Sequence, residues 1–214
     1  MLTVWCVCWG DKYDDYYVQR LQRSVSENLT LPHRFVCLTD RQIDGVETHP
    51  QVEDWPGWWQ KISLFKPGVC DEYNLYLDLD VVVTSSLDDM VGRYRDSNFA
   101  AANNWAVSGH GGIQSSVMLW KGGLGCHAEW IYRFFDPAIA HWPPINRPPI
   151  LWGDQEHMTI LRDQGKLNHT PIDPPLIRSY KYHCRDGLPT DCRVVVFHGE
   201  PKPRSVTADW YSWL

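Results

Sequence analysis

The sequence predicts an α/β domain built on a mostly parallel central sheet flanked by helices. Three observations lead there. The chain opens as strand, helix and strand within roughly forty residues, the start of a parallel sheet with a crossover. A strongly apolar stretch then carries two carboxylates, Asp78 and Asp80, where a central strand should end. A last apolar run, Val194 to Phe197, delivers His198 and Gly199 at its own end.

The elements follow in order. Leu2 to Trp9 is an apolar run closed by Gly10 and reads as a buried first strand. It is too short to span a bilayer. It also lacks a basic leading region, and the charged stretch Asp11 to Asp15 follows at once, so it does not read as a signal peptide. Tyr17, Val18, Leu21, Val25 and Leu29 recur at helical spacing. His33 to Leu38 is the second strand, and Trp58 to Phe65 is a helix entered through Pro56-Gly57 and stopped at Pro67-Gly68. Asn74 to Leu79, Phe99 to Asn103 and Ser115 to Trp120 read as strands. Gly125 to Phe135 and Asp154 to Arg162 read as helices. Between those two helices, Pro143-Pro144 to Pro148-Pro149 forbids regular structure. Asp88-Asp89 is read as an exposed helix start.

The 214 residues are expected to form one domain, 1–214, large enough to fold on a core alone. Hydrophobic residues make up 43% and charged residues 21%, which excludes a disordered or fibrous chain. Twenty Lys and Arg against 26 Asp and Glu give a net charge of −6, without a basic cluster, so no nucleic-acid partner is expected. No segment approaches a membrane span. The seven cysteines are odd in number and form no CxxC pair, which argues against a zinc ribbon. Cys6 and Cys8 read as core thiols, and Cys184 and Cys192 as free thiols or a bridged loop. A cytoplasmic location is expected from this cysteine usage. Twelve Trp and ten Tyr supply flat faces that suit bases and the apolar faces of sugars, although most are expected to fill the core.

The chemistry concentrates at four places. Asp78-Leu79-Asp80 places two carboxylates at the C-terminal end of an apolar strand, where α/β sheets bind ligands. Two such groups repel unless a cation relieves them. On an extended strand their spacing would point both to one side. Phe197-His198-Gly199-Glu200-Pro201-Lys202 offers a nitrogen ligand, a close-approach glycine and a cation for phosphate. Trp152-Gly153-Asp154-Gln155 opens a helix with a carboxylate and an amide for a polyhydroxylated ligand. Lys61 lies on the helix before the carboxylate strand. A solvated lysine and simple helix capping are the plain alternatives for the last two.

Taken in order, this set resembles the nucleotide-sugar glycosyltransferases of the GT-A fold, nearest to family eight, the glycogenin and bacterial galactosyltransferase-like enzymes. Asp78-Leu79-Asp80 matches that family's Asp-x-Asp, and Lys61 in Trp58-Trp59-Gln60-Lys61 matches its upstream lysine. Gln114-Ser115-Ser116-Val117 loosely matches its Asn-Ser-Gly-Val strand. Gly153-Asp154-Gln155 matches its Asp-Gln helix start, and His198 to Pro203 a compressed form of its terminal His-x-x-Gly-x-x-Lys-Pro. The resemblance spans nearly the whole chain and implies a single GT-A domain with a Rossmann-like sheet.

It also implies metal-dependent transfer of a sugar from a nucleotide-diphosphate donor, a UDP-sugar, to a glycan or other hydroxyl acceptor, with retention. Asp78, Asp80 and His198 would hold Mn²⁺ or Mg²⁺. Lys61, Lys202 and Gly199 would meet the donor, with Asn103 and Asn104 as further donors of hydrogen bonds. Asp154 and Gln155 would act at the sugar. That family's base-holding first-strand motif is replaced by Cys8-Trp9-Gly10-Asp11, and by their flat faces Trp9 and Tyr13 are read as stacking on the base. The acceptor is expected at Pro143 to Trp152 and the Trp210 to Leu214 tail.

Two rival readings accompany this one. A phosphohydrolase of the haloacid dehalogenase type would use Asp78 as nucleophile and Asp80 as acid/base. Its motif opens that fold, whereas here a βαβ unit comes first. A non-catalytic carbohydrate-binding protein would use the tryptophans alone, without need of Asp-x-Asp.

Overall fold

Strand β1 (Leu2–Cys8) is buried at every residue because it has a neighbour on each side. It pairs in parallel with β2 (His33–Thr39) and with β4 (Tyr73–Leu77). Helix α1 (Asp15–Asn28) makes the crossover that parallel neighbours require, burying Tyr17, Val18, Leu21 and Val25 as the spacing predicts. Beyond β2 lies β3 (Glu47–Pro50), again parallel. On the other side β7 (Ile113–Lys121) runs antiparallel to both β4 and β6 (Ala100–Asn103), and β8 (Thr170–Pro171) closes that edge. The order is β3-β2-β1-β4-β7-β6-β8, so the sheet is mostly parallel with β7 reversed. A smaller sheet joins β5 (Val81–Val83), β10 (Val194–Val196) and β9 (Ile177–Ser179). This computed structural model describes residues 1–70, 72–105, 112–140 and 151–213.

The alternation of β1 divides two cores. Leu2, Val4, Cys6 and Cys8 face the core under α1 and helix α3 (Asp88–Tyr94). Trp5 and Val7 face the other, with α2 (Gln60–Ser63), α4 (Glu129–Arg133) and α5 (Asp154–Asp163). The sheet is thus covered on both faces, as a parallel sheet must be. All seven cysteines are free, and Cys6 and Cys8 sit in the core on one face as expected.

Several elements differ from the sequence reading. The helix expected over Trp58 to Phe65 is a 3₁₀ turn, Gly57–Trp59, followed by a single turn at α2. The helix expected over Gly125 to Phe135 is regular only at Glu129–Arg133, since the glycines Gly123 and Gly125 both take positive φ before it. Asp88 does more than start a helix: its carboxylate accepts the Thr30 and Leu31 backbone N–H groups and the Thr30 hydroxyl. The proline-rich break at Pro143 to Pro149 lies outside the described residues.

Candidate active site

The sheet gathers the candidate residues at the C-terminal ends of β1 and β4. β4 stops at Leu77, and Asp78, Leu79 and Asp80 form a turn closed by the Val81 N–H on the Asp78 carbonyl, 3.3 Å. The two carboxylates therefore sit in a turn and not on extended strand. The Asp78 N–H still donates to Ser116 of β7, 2.9 Å, which anchors the turn to the sheet.

Each carboxylate faces an ammonium. Lys61 Nζ lies 3.0 Å from Asp78 Oδ1 and 3.3 Å from Asp154 Oδ2, at the start of α5. It also donates to Ser115 Oγ at 3.3 Å, and that hydroxyl donates to Asp154. Burial works against a charged Lys61, but Asp154 and Asp78 outweigh it and hold its pKa above the ordinary lysine value. Burial likewise works against Asp78, yet Lys61, Ser116 and Tyr76 keep its carboxyl below the usual range. The Tyr76 hydroxyl donates to Asp78 Oδ1 at 2.7 Å.

Around Asp80 the Lys202 ammonium lies 2.6 Å from Oδ2, and the Tyr13 hydroxyl donates to the same atom at 2.8 Å. Burial and the Asp80 charge raise the Tyr13 pKa, so its phenol stays a donor. The turn is gripped from behind by Arg20 of α1, whose Nη2 donates to the Val81 carbonyl at 2.7 Å and reaches the Leu79 carbonyl at 3.5 Å.

Two cavities adjoin this cluster and share Trp58 as a wall. One, of about 330 Å³, is lined by Trp9, Tyr13, Lys61, Tyr76, Asp78 and Asp80. The other, of about 610 Å³, is lined by Asn104, Trp152, Asp154, Gln155, Glu156 and Thr159 among others. Trp9 is seated by Gly57, which holds a positive φ of 71°. A Cβ there would lie 3.1 Å from the indole, so only glycine combines that turn with that approach.

The structure thus brings Trp9, Tyr13, Lys61, Asp78, Asp80 and Lys202 together, and puts Asp154, Gln155 and Asn104 beside them. Asn103 ends β6 exposed and lines neither cavity. Gly199, at φ 68°, faces Lys181, whose Nζ would be 3.2 Å from a Cβ at that position, and lines neither cavity. Trp58, Tyr76 and Ser115 were not among the candidates. Trp58 and Ser115 lie inside the quoted motifs, which was the available signal. Tyr76 has only its i,i+2 spacing from Asp78.

The expected metal set is assembled in part. Among the described residues no group of three or more His, Cys, Asp and Glu side chains is arranged to hold a metal ion. Asp78 and Asp80 supply the hard oxygen donors that suit Mn²⁺ or Mg²⁺. Lys202 already seats a cation on Asp80. His198 is turned elsewhere, its Nε2 2.7 Å from Ser179 Oγ and its ring near Trp105 and Tyr182. Burial and Lys181 lower its pKa, which favours the neutral ring that a metal needs.

No protein-family model matches the chain, and no curated protein matches it. Solved structures do. The chain is similar to the galactosyltransferase LgtC in complex with donor and acceptor sugar analogues, with a TM-score of 0.58 and 13% identity over 94% of this chain and 89% of that one. It is similar to the glycosyltransferase GlyE of Streptococcus pneumoniae, with a TM-score of 0.62 and 15% identity over 94% of this chain and 56% of that one. A third likeness is to mouse xyloside xylosyltransferase 1 in its apo form, with a TM-score of 0.56 and 10% identity over 92% and 97%. The fold is therefore the GT-A fold of these glycosyltransferases.

Proposed function

We propose that the chain is a nucleotide-sugar glycosyltransferase that moves a sugar from a UDP-sugar to a glycan or other hydroxyl acceptor, with retention of anomeric configuration. The observation that carries this reading is the Asp78–Lys61–Asp154 bridge. It joins the turn beside the smaller cavity to the helix start beside the larger one, so a donor in the first would present its sugar to the second.

In this reading Trp9 and Tyr13 stack on the base, and Lys202 leaves Asp80 to meet the diphosphate as a fixed cation. Asn104 adds an amide donor where it lines the larger cavity beside Asp154 and Gln155. A divalent cation, Mn²⁺ or Mg²⁺, would be held by Asp78 and Asp80, with His198 turning from Ser179 to complete the set. When bound, it supplies Lewis-acid stabilisation of the departing diphosphate. Asp154, kept in place by Lys61 and Ser115, stabilises positive charge at the anomeric carbon, and Gln155 binds sugar hydroxyls. The bond from the anomeric carbon to the diphosphate oxygen breaks, and the nucleoside diphosphate leaves with the electron pair. The acceptor oxygen bonds to that carbon, and its proton passes to the departing phosphate.

A cytoplasmic setting accords with seven free cysteines. Among the described residues no helix is long and apolar enough to cross a membrane. The phosphohydrolase alternative loses support, because the Asp-x-Asp turn follows the sheet's fourth strand within a GT-A fold. The test is release of nucleoside diphosphate from UDP-, GDP-, CDP- and dTDP-sugars with Mn²⁺ present. Turnover with one donor is expected, falling by about 10²–10³-fold in Asp80→Ala, by analogy with loss of one preorganised electrostatic donor. Near-normal turnover in that variant contradicts the assignment. Sugar binding without turnover of any donor favours the non-catalytic alternative.

A further inference from the structure

Another cavity, of about 330 Å³, shares no lining residue with the two beside the Asp-x-Asp turn. One side of it is a face of α1, where Tyr16, Arg20, Arg23 and Glu27 recur at steps of three and four. The other sides are β5 and the tail residues Trp210 to Trp213. The tail is held against α1. The Tyr16 hydroxyl donates to the Trp213 carbonyl at 3.1 Å, and the Trp213 ring lies 4.5 Å from that of Tyr17.

Two lining side chains are buried with a polar atom unsatisfied. Arg20 is 9% exposed and Tyr211 8%, and neither Arg20 Nε nor the Tyr211 hydroxyl has a hydrogen-bond partner among the described residues. A buried donor left unpaired lowers stability, so such atoms call for an acceptor. The Arg20 charge is unmatched as well. Its partners are the Val81 and Leu79 carbonyls and the Trp213 ring, and none of these is a carboxylate. Arg23, one turn along, adds a second guanidinium, and Glu27 is the one carboxylate in the lining. Burial pushes the Tyr211 pKa up to about 12 against the pull of Arg20, so the phenol keeps its proton and donates.

Donors and positive charge together match an oxyanion. Phosphate suits them, because several oxygens can accept from a guanidinium edge and a phenol at once. A neutral saccharide would leave the guanidinium charge uncompensated. The cavity is roomier than a bare phosphate ion and lies at the low end of small-ligand pockets, about 300–1,000 Å³. The Trp210 and Trp213 rings add flat walls for a carbon skeleton. We infer that this cavity binds a small phosphate ester, its phosphate held by Arg20, Arg23 and Tyr211. The site does not depend on the transferase reading. It lies behind the Asp78–Asp80 turn, since the guanidinium that meets the phosphate also holds the turn's carbonyls.

The experiment is calorimetric titration of the full chain in metal-free buffer with inorganic phosphate, phenyl phosphate and glucose 6-phosphate, at matched ionic strength. Saturable binding is expected, tighter for at least one ester than for inorganic phosphate. It should weaken about tenfold or more in Tyr211→Phe, the scale of one hydrogen bond to a charged group, and weaken also in Arg23→Gln. Lys202→Met, which alters the Asp80 cluster, should leave it as in the wild type. Because the Tyr211 hydroxyl has no partner, Tyr211→Phe without phosphate should unfold at the wild-type urea midpoint or above it. Lost binding would then not be lost fold, and a lower midpoint would contradict the orphaned hydroxyl and overturn the inference. Binding retained in Tyr211→Phe and abolished in Lys202→Met would put the phosphate at the Asp80 cluster and overturn it too. So would no binding of any of the three compounds. Inorganic phosphate binding as tightly as both esters would keep the oxyanion site and overturn the ester as its ligand.

Discussion

Lys61 holds two carboxylates in one buried cluster, and its removal has two distinguishable consequences. In Lys61→Met, Asp78 and Asp154 lose their shared cation, and a loss of about 3–5 kcal/mol is expected from urea unfolding. The pH dependence follows from the two shifts. The raised Lys61 pKa means its contribution is full below the ordinary lysine value, about 10.4, and is lost as pH rises through the folded value. The lowered Asp78 pKa means its contribution is present above about 3.9 and is lost as pH falls through the folded value. Stability of the wild type relative to Lys61→Met should therefore be flat across neutral pH and decline toward both extremes. A difference that does not change with pH would contradict the ion-pair account. Lys61, Asp78 and Asp154 were legible in the sequence because each sits in a recognisable pattern. Ser115 and Tyr76, which lock them, were not, because a bond between residues 39 apart in sequence, such as Ser115 to Asp154, leaves no local mark.

At the scale of elements, the Asp78–Asp80 turn is held by α1 and by the C-terminal tail. Arg20 grips the carbonyls of the turn while its guanidinium lies 4.7 Å from the Trp213 ring. Arg20→Met should cost about 1.5–3 kcal/mol, the range for hydrogen bonds to a charged group, and Trp213→Ala about 0.5–2 kcal/mol through the lost cation–π contact. Urea midpoints check both, and an Arg20→Met protein as stable as the wild type would show that the turn needs no such support. Asp88→Ala should cost about 0.5–1.5 kcal/mol, the net range of an ordinary hydrogen bond, because the Thr30 and Leu31 donors it releases can turn to water, with the penalty shrinking as acid protonates Asp88 in the wild type.

Long periodic elements were legible: β1, α1, β2 and α5 fall close to where the residues put them. The Asp-x-Asp turn was hidden, because Val81 to Val83 continues the apolar run of β4 and no Gly or Pro marks the break. β3, β8 and β9 are too short, two to four residues, to show a period of their own.

The whole molecule unites segments from across the chain at one sheet edge: Trp9 and Tyr13, Lys61, the Asp78–Asp80 turn, Asp154 and Lys202. Their order along the chain was readable, and so was the fold that gathers them. The reversed strand β7 was not, since antiparallel and parallel neighbours can share one apolar pattern. Neither was the division into two cavities with Trp58 between them, which depends on rotamers and on the turn at Gly57. The central claim is that this edge binds a nucleoside diphosphate with a divalent cation. The measurement that tests it is the thermal unfolding midpoint with UDP, GDP, CDP and dTDP, each with and without Mn²⁺. A ligand at about 100 times its Kd adds about 2.7 kcal/mol, and each kcal/mol raises the midpoint of a domain this size by roughly 2–4 °C. A rise of several degrees with UDP and Mn²⁺ together, absent in Asp80→Ala, is the expected result. An unchanged midpoint with every nucleotide would contradict the account.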